Sequence, residues 1–195
     1  MALKPEDMDF VSNFSLLWQV ILGAVLATAG GFAATQMERM VGKRERERNS
    51  ALLFGEVLAT VLLILEIAAP SRERGVPYGP FTMRMLRAAR REIDIYERNR
   101  ERLFDLQDGA LRGRIHTAMV RVAMPLDNIF DTTSDIERAR QESADGEAIA
   151  SLERQRNDQF NFVIQFAARL KPIITLLEPL ARQSFEGLSE IAREA

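Results

Sequence analysis

The chain has 195 residues, a formal net charge of −2 at pH 7 and no cysteine. This charge creates no global field that would attract nucleic acid. The missing cysteines exclude disulfides, thiolate metal sites and cysteine nucleophiles within this sequence. The length suits one ordinary domain together with an anchor. The arginine-rich, alanine-rich composition indicates a bacterial protein.

The first predicted element is a transmembrane helix over residues 14–36, preceded by a short segment, 1–13. No charged residue occurs between Phe10 and Met37. A helix over 14–36 extends about 35 Å at 1.5 Å per residue, which is enough to cross a hydrocarbon core of about 30 Å. A cleaved signal peptide would begin with basic residues and have a shorter apolar region. We therefore predict a permanent anchor.

Small and polar residues recur at every fourth position of the predicted transmembrane helix and share one face. Small residues at this spacing let two helix backbones approach closely in lipid, and a glutamine can hydrogen-bond across the contact. The pattern predicts homo-oligomerisation or docking to another membrane protein. The simpler interpretation is that Gly and Ala are common in membrane helices. The residues of this face are Gln19, Gly23, Ala27 and Gly31.

The segment after the anchor, residues 37–50, is rich in basic side chains, whereas Lys4 is the one basic residue before the anchor. Basic residues are retained on the cytoplasmic side, so we expect the N-terminus outside and residues 37–195 in the cytoplasm of a bacterial cell, beneath its inner membrane. The same side chains are candidates for contact with anionic membrane lipid. They are Arg39, Lys43, Arg44, Arg46 and Arg48.

A second apolar run, residues 51–69, contains two carboxylates, Glu56 and Glu66. Their insertion penalty roughly cancels the gain from the large apolar residues. Both flanks of the run are basic, which favours one crossing and makes the run a helix of a cytoplasmic bundle. The glutamates are then candidate buried carboxylates that need arginine partners or access to water. The alternative is a small two-pass pore or transporter-like subunit, with the two glutamates on a polar path.

The remainder of the chain shows helical apolar spacing and no alternating strand pattern, which predicts an all-α protein with an antiparallel helical bundle over 37–195. The Pro- and Gly-rich stretch 70–80 predicts a turn. Helices are expected over 81–106 and from Leu111 to Ile129, the latter bent by Pro125. Ser134 and Glu137 have the spacing of a capping box that would open a further helical turn.

The last predicted helix has a regular apolar seam from Val163 to Leu180 at alternating spacings of three and four. Such a seam is typical of a helix that packs along partners in a bundle or coiled coil. Pro172 and Pro179 lie off the seam and are expected to bend the helix or divide it. Leu188 and Ile191 extend the seam beyond Gly187.

The sequence contains little that predicts catalysis. His116 is the one histidine, and no acidic residue stands at a metal-ligand spacing from it. No phosphate-binding loop or nucleophile elbow is present, and the carboxylates mostly alternate with arginines, as on solvated helices. We therefore expect no enzymatic activity, cofactor, metal, nucleic acid or small-molecule substrate. The predicted function is a membrane-anchored scaffold, adaptor or oligomer-forming component that acts through helix contacts.

Overall fold

The computed structural model describes residues 5–74, 76–143 and 145–185, with few side chains before Leu26 included in that description. These residues form α1 (Pro5–Arg74), α2 (Pro80–Arg98), a 3-10 helix (Arg100–Asp105), α3 (Gly109–Gln141), α4 (Gly146–Ala167) and α5 (Leu170–Ala181). No strand occurs among them, so the all-α prediction is confirmed for the described part. The chain divides into two compact units, Met1–Glu45 and Arg46–Ala195.

The first unit exposes the apolar side chains of its helix. Every side chain described between positions 22 and 41 is exposed, and the large apolar ones have 55 to 67% of their surface accessible. Within this unit, no neighbouring element covers them. The residues concerned are Leu22, Leu26, Phe32, Met37, Met40 and Val41.

Two stretches of described helix, Leu26–Glu73 and Gly146–Ala181, are long and apolar enough to cross a membrane by length and composition. A core helix of a soluble protein satisfies the same criterion, and 56% of the most apolar window of the first stretch is buried within the protein. The criterion therefore gives weak support for membrane association.

The second unit is built on the part of α1 that begins at Arg46. Six of its side chains form a stripe at alternating spacings of three and four, and each has at most 1% of its surface exposed. This spacing places all six on one helix face, which packs into a single apolar core with α2, α3, α4 and α5. The stripe consists of Ala51, Phe54, Leu58, Val61, Leu65 and Ala68.

The predicted turn at 70–80 and the predicted helix at 81–106 are both shorter in the structure. Helix α1 continues through Pro70, and the turn occupies 76–79. Pro80 begins α2, where its missing N–H leaves no helical bond unmade. The chain then tightens into the 3-10 helix after Arg98. Asp108 caps α3 by accepting hydrogen bonds from the backbone N–H groups of Ala110 at 2.7 Å and Leu111 at 3.2 Å.

Helix α3 is longer than the sequence predicts, and the expected capping box at Ser134 is wrong. The helix continues past Pro125, which is buried inside it. The Ser134 hydroxyl donates to the carbonyl oxygen of Phe130 at 3.2 Å, as hydroxyls do within a helix. Burial of Thr132 and Ile136 extends the packed face beyond Ile129, so tertiary packing overrides the local start signal.

The predicted last helix is divided into α4 and α5 after Ala167. Pro172 lies in the first turn of α5, where proline removes no helical hydrogen bond, and Pro179 lies inside that helix. The seam survives this division because Val163, Leu170, Ile173 and Leu177 are all buried. Its predicted extension to Leu188 and Ile191 lies outside the described residues.

Helices α3 and α4 run antiparallel along each other. Arg140 pairs with Glu153 near their connection, with 2.7 Å between Nη2 and Oε1. Further from the connection, the guanidinium of Arg121 lies over the ring of Phe166, with 5.9 Å from Cζ to the centroid. Contacts of this kind place the end of α4, and α5 after it, beside the beginning of α3.

Candidate functional site

The single histidine has a packing role. The Nδ1 atom of His116 lies 2.9 Å from the hydroxyl oxygen of Tyr96, and the two rings stack with 6.5 Å between centroids. This contact joins α3 to α2. Burial raises the pKa of Tyr96 above its usual value. Among the described residues, no group of three or more potential metal ligands comes together.

The prediction that Glu56 and Glu66 are buried is wrong. Both side chains are exposed, because they lie off the face of α1 that carries the buried stripe. Glu66 retains 48% of its side-chain surface and lies 3.9 Å from the Lys171 ammonium group. An exposed pair of this kind contributes little to stability, and neither carboxylate lines an internal polar path within the second unit.

The predicted face of small residues is partly described. Ala27 and Gly31 are exposed, and a Cβ atom placed on Gly31 meets no atom within 4 Å. The Thr35 hydroxyl donates to the carbonyl oxygen of Gly31 at 2.9 Å. The side chain of Gln19 and the surroundings of Gly23 lie outside the described part of the chain.

The five basic residues predicted to contact lipid are all exposed. Four of them, Arg39, Lys43, Arg44 and Arg46, make no ion pair with any described residue. Arg48 is partly engaged, because its Nε–H donates to the carbonyl oxygen of Ala181 at 3.4 Å. This exposure is compatible with the predicted contact with anionic membrane lipid, which stays a prediction.

A strained residue marks the turn between α1 and α2. Tyr78 has φ 59°, a left-handed conformation that non-glycine residues rarely adopt. Its hydroxyl donates to Asn157 Oδ1 at 2.9 Å, and the guanidinium of Arg156 stacks on its ring with 4.0 Å from Cζ to the centroid. Burial raises the pKa of Tyr78 and lowers the pKa of Arg156. These contacts hold the turn against α4, which compensates for the backbone strain.

Beside this turn lies a cavity of about 460 Å³ that contains both acidic and basic side chains. Glu137 and Glu153 line it together with Arg140 and Arg156. Among the described residues, Arg156 Nε is buried without a hydrogen-bond partner. The mixture of charges gives this cavity no preference for an ionic ligand of one sign.

A second cavity, of about 490 Å³, lies along the 3-10 helix and again combines both signs of charge. Glu97 and Glu101 line it with several arginines, and the ring of Phe104 is 81% exposed at its edge. The guanidinium of Arg112 lies 5.9 Å from the centroid of that ring. Here too the acids offset the positive charge.

The third cavity, of about 500 Å³, differs from the other two because arginines line it without any acidic residue. We call it the α3–α5 groove; its walls are α3 between Ala110 and Arg121 and the segment from Phe166 to Leu176. The lining is largely apolar. Its cationic members are Arg114, Arg121 and Arg169, and its apolar members include Ala118, Phe166, Ile173 and Leu176.

Sequence reasoning did not find the groove, although one signal for it is present. Arg114 and Arg121 are seven residues apart and therefore share one face of α3. Gly113 and Thr117 also line the groove, and their small size leaves space beside the arginines. The opposite wall comes from residues about fifty positions later, and only the fold brings the two walls together.

No known protein family, characterised protein or solved structure shows significant similarity to this chain.

Proposed function

We propose that the protein is a membrane-anchored, non-enzymatic helical scaffold, an adaptor or oligomer-forming component whose contacts are made between helices. The observation that carries this proposal is the exposed apolar surface of the first unit between Leu22 and Val41. Clustered exposed apolar side chains mark a site for lipid or for another protein. The second unit needs no such partner for its core because that core is internally packed.

The proposed topology has one crossing over residues 14–36, with the N-terminus outside and residues 37–195 as an antiparallel bundle in the bacterial cytoplasm. The basic residues that follow the crossing favour this orientation. The buried stripe of α1 favours a single crossing, because residues 51–68 already have protein partners. If residues 51–68 crossed the membrane, the apolar faces of α2 to α5 that pack against them would be left exposed.

Cysteine labelling tests the topology, since the chain has no native cysteine. Asn49→Cys and Val76→Cys bracket the second apolar run, and both positions are exposed. With one crossing, neither cysteine reacts with a membrane-impermeant maleimide in intact cells, and both react after permeabilisation. Opposite behaviour at the two positions would replace this proposal with the two-pass pore and its polar path through Glu56 and Glu66.

Two adjacent glycines provide a matched test of oligomer formation. A Cβ meets nothing within 4 Å at either Gly30 or Gly31, so leucine fits both positions in a single copy. Consecutive residues point about 100° apart on a helix, and only Gly31 belongs to the predicted small-residue face. We expect Gly31→Leu, but not Gly30→Leu, to reduce bis-maleimide crosslinking between copies that carry Asn49→Cys.

Crosslinking that is equal in the two variants would show that this face is not the contact. If the unmodified chain is monomeric and retains no partner after mild solubilisation, the scaffold proposal fails.

A further inference from the structure

The α3–α5 groove has the composition of a small-molecule site. Ligand pockets are typically concave, mostly apolar and of 300 to 1,000 Å³, with a few polar groups that orient the ligand. The groove has a volume of about 500 Å³, an apolar lining and three arginines. Its eleven lining residues are fewer than the 20 to 30 that each partner contributes to a standard protein interface. A small ligand fits these dimensions better than a protein surface does.

The positive charge of the groove favours a ligand with negative charge. Of the three cavities, it alone combines arginines with a lining free of carboxylates. The guanidiniums of Arg121 and Arg169 lie over the ring of Phe166, with Cζ to centroid distances of 5.9 and 5.5 Å. Among the described residues, none of the three arginines forms a salt bridge. Their hydrogen-bond donors therefore remain available to a carboxylate or phosphate.

The apolar lining indicates that the rest of the ligand, beyond its charged group, is apolar. Leu176 is 45% exposed at the groove, and Phe166 is extended on its outer side by Phe162, which is 46% exposed and stacks on it with 6.2 Å between ring centroids. The wall of α3 runs for about 16 Å between Ala110 and Arg121 at 1.5 Å per residue. This shape suits an extended hydrocarbon chain, and the absence of a Cβ on Gly113 leaves room beside it.

We propose that the α3–α5 groove binds an anionic amphiphile with an acyl chain, in which Arg121 and Arg169 hold the carboxylate or phosphate and Ile173 and Leu176 contact the chain. The ligand class is shared by free fatty acids and by anionic membrane lipids. The inference does not depend on the proposed membrane anchor, because both walls of the groove belong to the second unit.

Photolabelling of the full-length chain tests this proposal. The protein is reconstituted in phosphatidylcholine nanodiscs and irradiated with a sixteen-carbon fatty acid that carries a diazirine near its methyl end. In a parallel arm the probe is a phosphatidylglycerol with the same diazirine acyl chain. We expect at least one probe to label peptides from both walls of the groove. The arm that labels identifies the source of the ligand.

Competition and substitution give the test its specificity. Dodecanoate or dodecyl phosphate should displace the label, whereas dodecyltrimethylammonium should not. Arg121→Glu with Arg169→Glu should reduce labelling at least about tenfold, since each charge-assisted hydrogen bond is worth one or more powers of ten. The matched control is Arg84→Glu with Arg91→Glu, which makes the same change of charge at exposed positions of α2. Thr117→Trp should block the groove and leave its arginines in place.

Equal labelling in the groove variant and the α2 control would overturn the proposal, as would equal competition by the cationic amphiphile. Circular dichroism verifies the fold of each variant, and Thr117→Trp provides the decisive measurement if the double charge reversal unfolds. If neither probe labels the groove while Leu176→Cys crosslinks two copies, the groove is an interface between copies and the proposal is wrong.

Discussion

Two apolar stretches of α1 have opposite surroundings. Residues 22–41 of the first unit expose every side chain that is described there, whereas the stripe from Ala51 to Ala68 is almost completely buried within the second unit. Apolar composition therefore does not determine what a helix binds. The second stretch has its partners in α2 to α5, whereas no described element of the first unit covers the first stretch.

The largest expected difference in unfolding free energy comes from replacing one phenylalanine in each stretch. Phe54 is 1% exposed and contacts Tyr96 edge to face with 5.9 Å between centroids, whereas Phe32 is 67% exposed. Phe54→Ala should lower the free energy of unfolding by about 3 to 5 kcal/mol. Phe32→Ala should change it by less than about 0.5 kcal/mol. Urea unfolding of the second unit within the full chain, monitored by circular dichroism, measures both changes in unfolding free energy. Equal losses in the two variants would show that the two stretches do not differ in burial.

Two glycines of α1, one within the packed stretch and one directly after the exposed stretch, sharpen the same comparison. A Cβ on Gly55 would overlap the ring of Phe185, which is 3% exposed, whereas a Cβ on Gly42 meets nothing within 4 Å. Gly55→Ala should therefore destabilise the second unit by about 1 to 3 kcal/mol. Gly42→Ala should be neutral or slightly favourable to the helix.

The overlap between a Cβ on Gly55 and the ring of Phe185 can be tested directly. In the Phe185→Ala background the ring is absent, so Gly55→Ala should lose most of its effect. Additive losses in the double variant would show that the predicted overlap is not the cause.

Alkaline pH should weaken the packed unit through its tyrosines. Both tyrosines of the chain, Tyr78 and Tyr96, belong to this unit, and burial raises the pKa of each. An unfolded tyrosine ionises near pH 10, so above this pH the unfolded state releases its protons first and unfolding becomes easier. Stability is retained below pH 10 and falls as the pH rises toward the folded pKa.

The variant Tyr78→Phe isolates one of these contributions. It loses the hydrogen bond to Asn157 at all pH values, but it should show a smaller drop in urea midpoint between pH 8 and pH 10.5 than the unmodified protein. The remaining drop is assigned to Tyr96. An undiminished drop in Tyr78→Phe would contradict the assignment.

The smallest expected effect concerns the outer face of the buried stretch. Glu66 is half exposed and 3.9 Å from Lys171, so Glu66→Gln should change the unfolding free energy by no more than about 0.5 kcal/mol. Glu56→Gln serves as a companion at a second exposed position. A loss of several kcal/mol in either variant would mean that the carboxylate is buried in the assembled protein.

Local spacing predicted the helical class and the seam of the last helix, because burial follows the helix period. The stripe that includes Leu58 and Leu65 is legible in the sequence alone. The same period could have placed Glu56 correctly, since two residues along a helix correspond to about 200° and put it opposite the stripe. Counting charges without assigning faces led to the mistaken expectation of buried carboxylates.

Features that depend on distant segments could not be predicted in this way. The pattern at Ser134 and Glu137 resembles a helix start, but α3 continues through it with Ile136 buried. The groove requires Arg121 and Arg169 to meet at one phenylalanine ring. Their proximity follows from the antiparallel course of α3 and α4, which no local spacing specifies.

The bond from Arg48 to the Ala181 carbonyl joins residues 133 positions apart. At a translation rate of 5 to 20 residues per second, the ribosome needs roughly 7 to 27 seconds to synthesise the intervening chain. During this interval the stripe beginning at Ala51 has been made but lacks the helix that completes its cover. The nascent protein is therefore most vulnerable to aggregation before α5 emerges, and a chaperone that holds the stripe would act within that window.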